Sequence, residues 1–313
     1  MSNCLKKHLE NFVIDQKVAG NSKRTVEYYQ DNVTRFINWL ETEFNSTDIS
    51  FIKLNNIKLY TLHLKESNKL DPRRKKETDE PLSDVTVRTY LRAVKCFISY
   101  LSKEGFIDEN LPSKIKLPKA RKKQIDILDD QEIQMIINTL KKKKTNHYRD
   151  LAIMYLFLET GARLNEVVTL KLTNIKFNQN ILKVLGKGDK ERYIQYGVNV
   201  QRMLMKYINF ERPQPINKSI DYVFLKADGY PITQHTVKNL FRRIKEWTGI
   251  EKLHPHLCRH TMITMSLING ENPFMLKSKT GHSDFKIMEN YYHAAGAIQN
   301  KNNYSLMDNL NIK

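Results

Sequence analysis

Arginine, lysine, histidine and tyrosine recur in the second half of this sequence at spacings that suit an anionic phosphate. In LETGARLNEVVTL, Arg163 follows a glycine turn and opens a helix, with Glu166 three residues later. A guanidinium there can grip a phosphate through two parallel hydrogen bonds, although Arg-x-x-Glu taken alone is more often a surface ion pair. LGKGDKERYI sets Lys187 between two glycines, which let a backbone bend sharply and approach a ligand; an ordinary hairpin tip with an exposed lysine reads the same way. A Walker phosphate loop is excluded, because its spacing and the Ser or Thr after its lysine are missing. LHPHLCRHT packs His254, His256, Cys258, Arg259 and His260 into a few residues. His256 and His260 can share a helix face, but Cys258 would point elsewhere and Arg259 would repel a cation. No second His/Cys cluster completes a tetrahedral set, so no metal is expected. The His256-x-x-Arg259 pair lies on one face and suits a phosphate instead. Finally, TGHSDFKIMENYYH carries His282 and, nine residues on, Tyr291, with Tyr292 directly after it. Any one of these tyrosines alone would be read as core.

Two kinds of element must position these groups. The first hundred residues read as helices. Val26, Tyr29, Val33, Phe36, Ile37, Leu40 and Phe44 recur at helical spacing after Ser22, and Val87 to Leu101 form a second stripe between an N-cap at Ser83 and a stop at Gly105. Shorter helices are expected at residues 5–13 and 57–64. Residues 67–81, SNKLDPRRKKETDEP, read as a polar, proline-broken loop. Its Arg73, Arg74, Lys75 and Lys76 either touch a polyanion or are simply solvated. Residues 112–125 hold two prolines, six basic residues and no acid, and are read as a basic linker. Beyond it, residues 175–196 alternate in strand-like runs split by Asn-rich and Gly-rich turns, a small antiparallel sheet within an otherwise helical region. The organisation expected is therefore 1–111 helical, 112–125 linker, and 126–313 α-rich with a small sheet.

Bulk properties agree with a polyanionic partner. The 313 residues suffice for two domains, and 40% hydrophobic content supports ordinary cores. Lys and Arg number 52 against 34 acidic residues, a net charge of +18. Such an excess fits nucleic acid, whose condensed counterions are released by each cationic contact. No apolar run reaches the ~20 residues that span a bilayer, and no secretory signal is visible. The three scattered cysteines, Cys4, Cys96 and Cys258, make no disulfide framework, so a cytoplasmic protein is expected.

Taken in order, Arg163, Lys187, His256-x-x-Arg259, Gly281-His282 and Tyr291 resemble the signature of the tyrosine recombinase (phage integrase) family. LETGARLNEVVTL is similar to its first-arginine box, GKGDKER to its β-hairpin lysine box, PHLCRHT to its second-arginine box, and GHSDFKIMENYYH to the box ending in the nucleophile. The resemblance covers about residues 126–293 and extends to the helical first half, similar to the family's core-binding domain. It implies a mainly α, two-domain DNA clamp: an all-helical core-binding domain, and an α-rich catalytic domain with a small antiparallel sheet. It further implies a site-specific recombinase that cuts and rejoins DNA through a 3′-phosphotyrosine, as a homotetramer on two DNA sites and with accessory proteins in some members. No cofactor is implied, because the covalent intermediate keeps the energy of the broken bond.

The roles follow from what phosphoryl transfer to a phenol requires. Arg163 and Arg259 would stabilise the non-bridging oxygens. His256 and His282 would add hydrogen bonds, with His256 helping to take the phenol proton. Lys187 would protonate the departing 5′-oxygen, and Tyr291 would attack. Glu166 is expected to orient a neighbour, and His260 to buttress Arg259. The tail SLMDNLNIK, with Leu306 and Leu310 one turn apart, suits docking on a neighbouring protomer or fraying. Two alternatives stay open: a monomeric type IB topoisomerase, and a non-catalytic helical DNA-binding regulator.

Overall fold

Hydroxyl caps and apolar stripes define the helices of the first unit. Ser22 accepts the Thr25 N–H and starts α2 (Lys23–Phe44), and Ser83 accepts the Thr86 N–H and starts α4 (Asp84–Lys103). The computed structural model describes residues 4–71, 76–119, 125–186, 191–281 and 284–300. It divides into two units, Met1–Lys123 and Gln124–Lys313. Among the described residues no helix is long and apolar enough to cross a membrane. The described elements are thirteen helices with two small antiparallel sheets, a mainly α fold.

In the first unit, α1 (Leu5–Val18) packs on α2 and α4, with α3 (Leu54–Glu66) against α4. The aromatic stripes are core: Phe12, Phe36, Tyr60 and Phe97 are fully buried. Burying each such side chain contributes ~1.5–3 kcal/mol. The first short helix runs on to Val18, past the apolar stripe, leaving Ile14 and Val18 exposed.

The structure adds to the sequence expectation at two places. Residues 67–81 are not simply a loop: β1 (Asn68–Asp71) and β2 (Lys76–Pro81) pair antiparallel, and Thr78 Oγ1 donates to the Lys69 carbonyl at 3.0 Å. Their polar composition hides the pairing because no apolar face marks a period of two. Arg73, Arg74 and Lys75 lie outside the described residues. The stretch 112–125 is also less of a tether than its composition suggests. Pro112 stands in the first turn of the short α5 (Leu111–Lys114), Leu111 and Ile115 are buried, and Lys95 Nζ donates to the Ile115 carbonyl at 2.9 Å. Leu111 and Ile115 join the core of the first unit, with Leu117 packed against it, while Lys116 and Lys119 are exposed; residues 120–124 are outside the described set.

In the second unit, an Asp129–Glu132 capping box opens α6 (Asp130–Lys141), which packs on α7 (His147–Tyr155) and α10 (Gln234–Thr248). β3 (Ile175–Lys176), β4 (Ile181–Leu185) and β5 (Glu191–Gln195) form one antiparallel sheet in that order, with Leu182 opposite Ile194. Leu182, Val184 and Ile194 bury its inner face. α9 (Val198–Lys206) lies over α7, and the Leu128 N–H donates to Thr261 Oγ1 of α11 (Pro255–Ile268) at 2.9 Å. α8 (Leu164–Val168), α12 (Pro273–Thr280) and α13 (Phe285–Asn300) complete the frame around the candidate site.

Candidate active site

Arg163 is delivered by an irregular helix end. After α7 the chain widens into a π-turn over Leu156–Thr160 and reverses at Gly161, whose φ of 60° is left-handed and favours glycine. Thr160 Oγ1 accepts the Ala162 N–H at 3.2 Å, fixing the reversal, and α8 then begins with Arg163 at its N-cap. Glu166, three residues on, accepts both the Arg163 backbone N–H (2.7 Å) and Nη1 (3.1 Å).

Glu166 is 2% exposed, and Arg192 of β5 meets it with two parallel bonds, Nε to Oε1 at 3.0 Å and Nη2 to Oε2 at 2.7 Å. Burial alone would raise the Glu166 carboxyl; the bonds and charge of Arg192, then those of Arg163, outweigh it and hold it below the usual carboxylate value. Glu166 thus orients its neighbours, as expected. Arg192 is the member of this cluster that sequence reasoning misses. Apart from its place in GKGDKER, nothing local marks it, since its carboxylate partner lies on a different element.

Three guanidiniums then converge on one helix end. Arg163 Nη2 donates to the Gly281 carbonyl (2.6 Å), Arg259 Nη2 to the Thr280 carbonyl (2.6 Å), and Arg192 Nη1 to the Lys279 carbonyl. These are the last carbonyl acceptors at the end of α12, at the negative end of its dipole, and Gly281 closes the helix in the left-handed conformation (φ 67°). Arg259 also donates Nη1 to the Gly161 carbonyl at 2.6 Å. It is 3% exposed; burial, then the Arg163 and Arg192 charges, pull its pKa down to about 10, which leaves it charged at neutral pH. One carboxylate against three guanidiniums leaves a positively charged node, suited to an incoming phosphate.

Helix α11 sorts the histidine cluster. His254 is spent as N-cap, its Nδ1 accepting the Leu257 N–H at 3.1 Å, and Cys258 points into the core of the second unit. His256 and His260 share a face with ring centroids 6.5 Å apart. His256 is held below its ordinary pKa by partial burial and by the charges of Arg259 and Arg163. His260 directly follows Arg259, and burial first, then His256, His254 and Arg259, hold its imidazole below the ordinary value. One residue further along the helix turns it by about 100°, toward α13, where Nδ1 meets the Tyr291 hydroxyl at 2.6 Å.

Tyr291 is 4% exposed, packed with Met262, Ile263, Leu276 and Met288, whereas Tyr292 is 62% exposed. Burial pushes the Tyr291 phenol up, against an opposing pull from the Arg259 charge. The structure therefore brings Arg163, Arg259, His256 and Tyr291 around the α11–α12 frame. Lys187 and His282 lie outside the described residues. Their flanks are the ends of β4 and β5 for Lys187, and Gly281, whose carbonyl Arg163 holds, for His282.

Comparison with known proteins supports the same reading. The model of the phage integrase family matches residues 126–297. Tyrosine recombinase XerD of Staphylococcus aureus is 27% identical over 278 residues, covering 88% of this chain and 90% of its own length. XerD of Staphylococcus haemolyticus is 31% identical over 219 residues, covering 69% and 74%. In fold, the chain is similar to the Tn1549 transposon integrase in complex with a circular intermediate DNA (TM-score 0.72, 20% identity, 96% of this chain and 100% of that one). It is also similar to a lambda integrase dimer bound to a COC′ core site (TM-score 0.69, 15% identity, 99% and 80%). By the family match, which spans more than half its length, and by these relatives, the chain belongs to the phage integrase family of tyrosine recombinases.

Proposed function

We propose that this protein is a site-specific DNA recombinase whose catalytic domain, residues 126–313, breaks and rejoins strands through a 3′-phosphotyrosine at Tyr291. The observation that carries the assignment of residues is the cluster at the α12 terminus, where Arg163 and Arg259 are fixed beside the α11 histidines and Tyr291. In this reading the two guanidiniums hold the non-bridging oxygens, and His256 and His282 donate to them. Tyr291 attacks the phosphorus, and Lys187 protonates the 5′-oxygen as it leaves. No nucleotide is consumed, because the phosphotyrosine retains the energy of the broken phosphodiester.

Its substrate is double-stranded DNA, in keeping with the charge of +18 and with DNA-bound relatives such as the Tn1549 and lambda integrases. Residues 1–111 serve as the core-binding domain, and residues 112–125 follow the phosphate backbone. Four copies act on two sites in the cytoplasm, where cellular DNA is at hand. A two-site recombination assay tests this. Exchange of flanking DNA, with a covalent protein–DNA adduct trapped on a nicked substrate, is expected. Relaxation of supercoils without exchange would indicate a topoisomerase, and absence of an adduct would indicate a DNA-binding regulator.

The role of Lys187 has its own test. An alkoxide is a poor leaving group, whereas a thiol, with a pKa of ~8.5, leaves readily as an anion. Lys187→Ala is therefore expected to cut normal DNA very slowly and to recover when sulfur replaces the bridging 5′-oxygen. Arg163→Ala and Arg259→Ala should not recover, since they act on the non-bridging oxygens. Sulfur rescue of His256→Ala in place of Lys187→Ala would move the proton donor to His256.

A further inference from the structure

Transfer to phosphorus leaves the phenol proton of Tyr291 in need of a destination, and family resemblance directs attention to His256. The geometry directs it one turn further along α11. The phenol, buried and with its pKa raised, keeps its proton at rest and has it to give. The atom at 2.6 Å is His260 Nδ1. The His260 imidazole is held below its ordinary value by burial first, and then by His256, His254 and Arg259, which favours the neutral ring; in its Nε2–H tautomer Nδ1 offers a lone pair to the phenol. His256 occupies the preceding turn of the same face, its ring 6.5 Å from that of His260 and under the charges of Arg163 and Arg259, which suits a donor to phosphate better than an acceptor from the phenol.

We propose that His260 is the proton acceptor for Tyr291 during strand cleavage, a role that rests on Tyr291 being the nucleophile. The step balances as follows. The bond from the Tyr291 oxygen to phosphorus forms, the bond from phosphorus to the 5′-oxygen breaks, the phenol proton passes to His260 Nδ1, and the 5′-oxygen takes its proton from Lys187. The transfer does not occur at rest, because the phenol is the weaker acid there. It becomes downhill as the oxygen–phosphorus bond forms and the oxygen loses its basicity. The imidazolium is then accompanied by the negative charge of the bound phosphate. In rejoining, the 5′-hydroxyl attacks phosphorus and gives its proton back to Lys187, the bond from phosphorus to the Tyr291 oxygen breaks, and His260 returns its proton to the departing phenolate.

Several titratable groups face His260. On its own helix and cap are His254, His256 and Arg259, and across from it is Tyr291. The other titratable residues of α13, Lys286, Glu289, Tyr292 and His293, are exposed. From the remaining elements packed on α11 come Glu159, which accepts the Gly197 N–H, and Lys277 and Lys279, the latter paired with Glu271.

The test is single-turnover adduct formation on a nicked DNA substrate as a function of pH, with noncovalent DNA binding as the control for folding. His260→Asn keeps an acceptor near the position of Nδ1 but cannot take the proton. It should cleave about 100-fold more slowly and lose the acid-side limb on which the wild-type rate climbs as the imidazole deprotonates. Placing 3,5-difluorotyrosine, a more acidic phenol, at position 291 should recover much of that loss. His260→Asn cleaving at the wild-type rate with an unchanged pH profile would overturn the proposal, whether or not His260→Ala is impaired, because a placeholder would then suffice. A wild-type enzyme that forms its adduct elsewhere than Tyr291 would instead sink the assignment of the nucleophile.

Discussion

Tyr291→Phe is expected to bind DNA as wild type does and to form no covalent adduct, while Tyr292→Phe forms it normally. The two residues differ by one position and by about 100° of helix rotation, which is enough to send one inward and the other to solvent. Tyr291 is 4% exposed and its hydroxyl is on His260, whereas Tyr292 is 62% exposed. Removing the Tyr291 oxygen deletes the attacking atom and leaves every guanidinium in place. It also removes one buried hydrogen bond, which costs ~0.5–1.5 kcal/mol, too little to unfold the domain. A denaturing gel of enzyme incubated with nicked DNA reads the adduct directly, and a melting curve checks the fold. Loss of the adduct in Tyr292→Phe, with retention in Tyr291→Phe, would reverse the assignment.

The second large effect is expected at Glu166, which touches no substrate in the proposed reaction. Its carboxylate is buried and is held by Arg192 through two bonds and by Arg163 through the backbone and Nη1. Deleting one member of a buried ion pair leaves the others uncompensated, a loss of ~3–5 kcal/mol. Glu166→Ala should therefore shift denaturant unfolding by about that amount and abolish strand cleavage. The same contacts make stability depend on pH. The folded Glu166 carboxyl lies below its unfolded value of ~4.3, so its contribution is complete above that value and is lost as pH falls through the lower, folded one. Glu166→Gln should flatten this acid limb of the stability profile. An unfolding midpoint unchanged in Glu166→Ala would show the cluster to be no stronger than a surface ion pair.

Much of the scaffold is legible in the sequence, because local rules and tertiary demand coincide there. The stripes of α2 and α4 carry a helical period, Ser22 and Ser83 cap as hydroxyl residues do, and the small sheet alternates as a half-buried sheet must. What stays hidden depends on partners distant in sequence. The β1–β2 hairpin is polar on both faces and so has no apolar period. Residues 112–119 look like a cationic tether until Leu111 and Ile115 find the helical core. At the site, spacing singles out Tyr291 and the paired arginines. The direction of His260, however, is set by where α13 crosses α11, and Arg192 gains its meaning only from Glu166, on another element.

The arginine-bound terminus of α12 has a consequence for when the protein becomes dangerous to DNA. Arg163, Arg192 and Arg259 come from three separated stretches of chain, yet each donates to a carbonyl within residues 279–281. None of them has that anchor until the last of these residues has been synthesised and folded into place, and Tyr291 follows only ten residues later in the sequence. A nascent chain that stops short of residue 281 thus lacks a shared anchor of all three guanidiniums, whose remaining holds are Glu166 and the Gly161 carbonyl. If these groups hold the phosphate as proposed, the order of synthesis delays the finished site until the chain is almost whole.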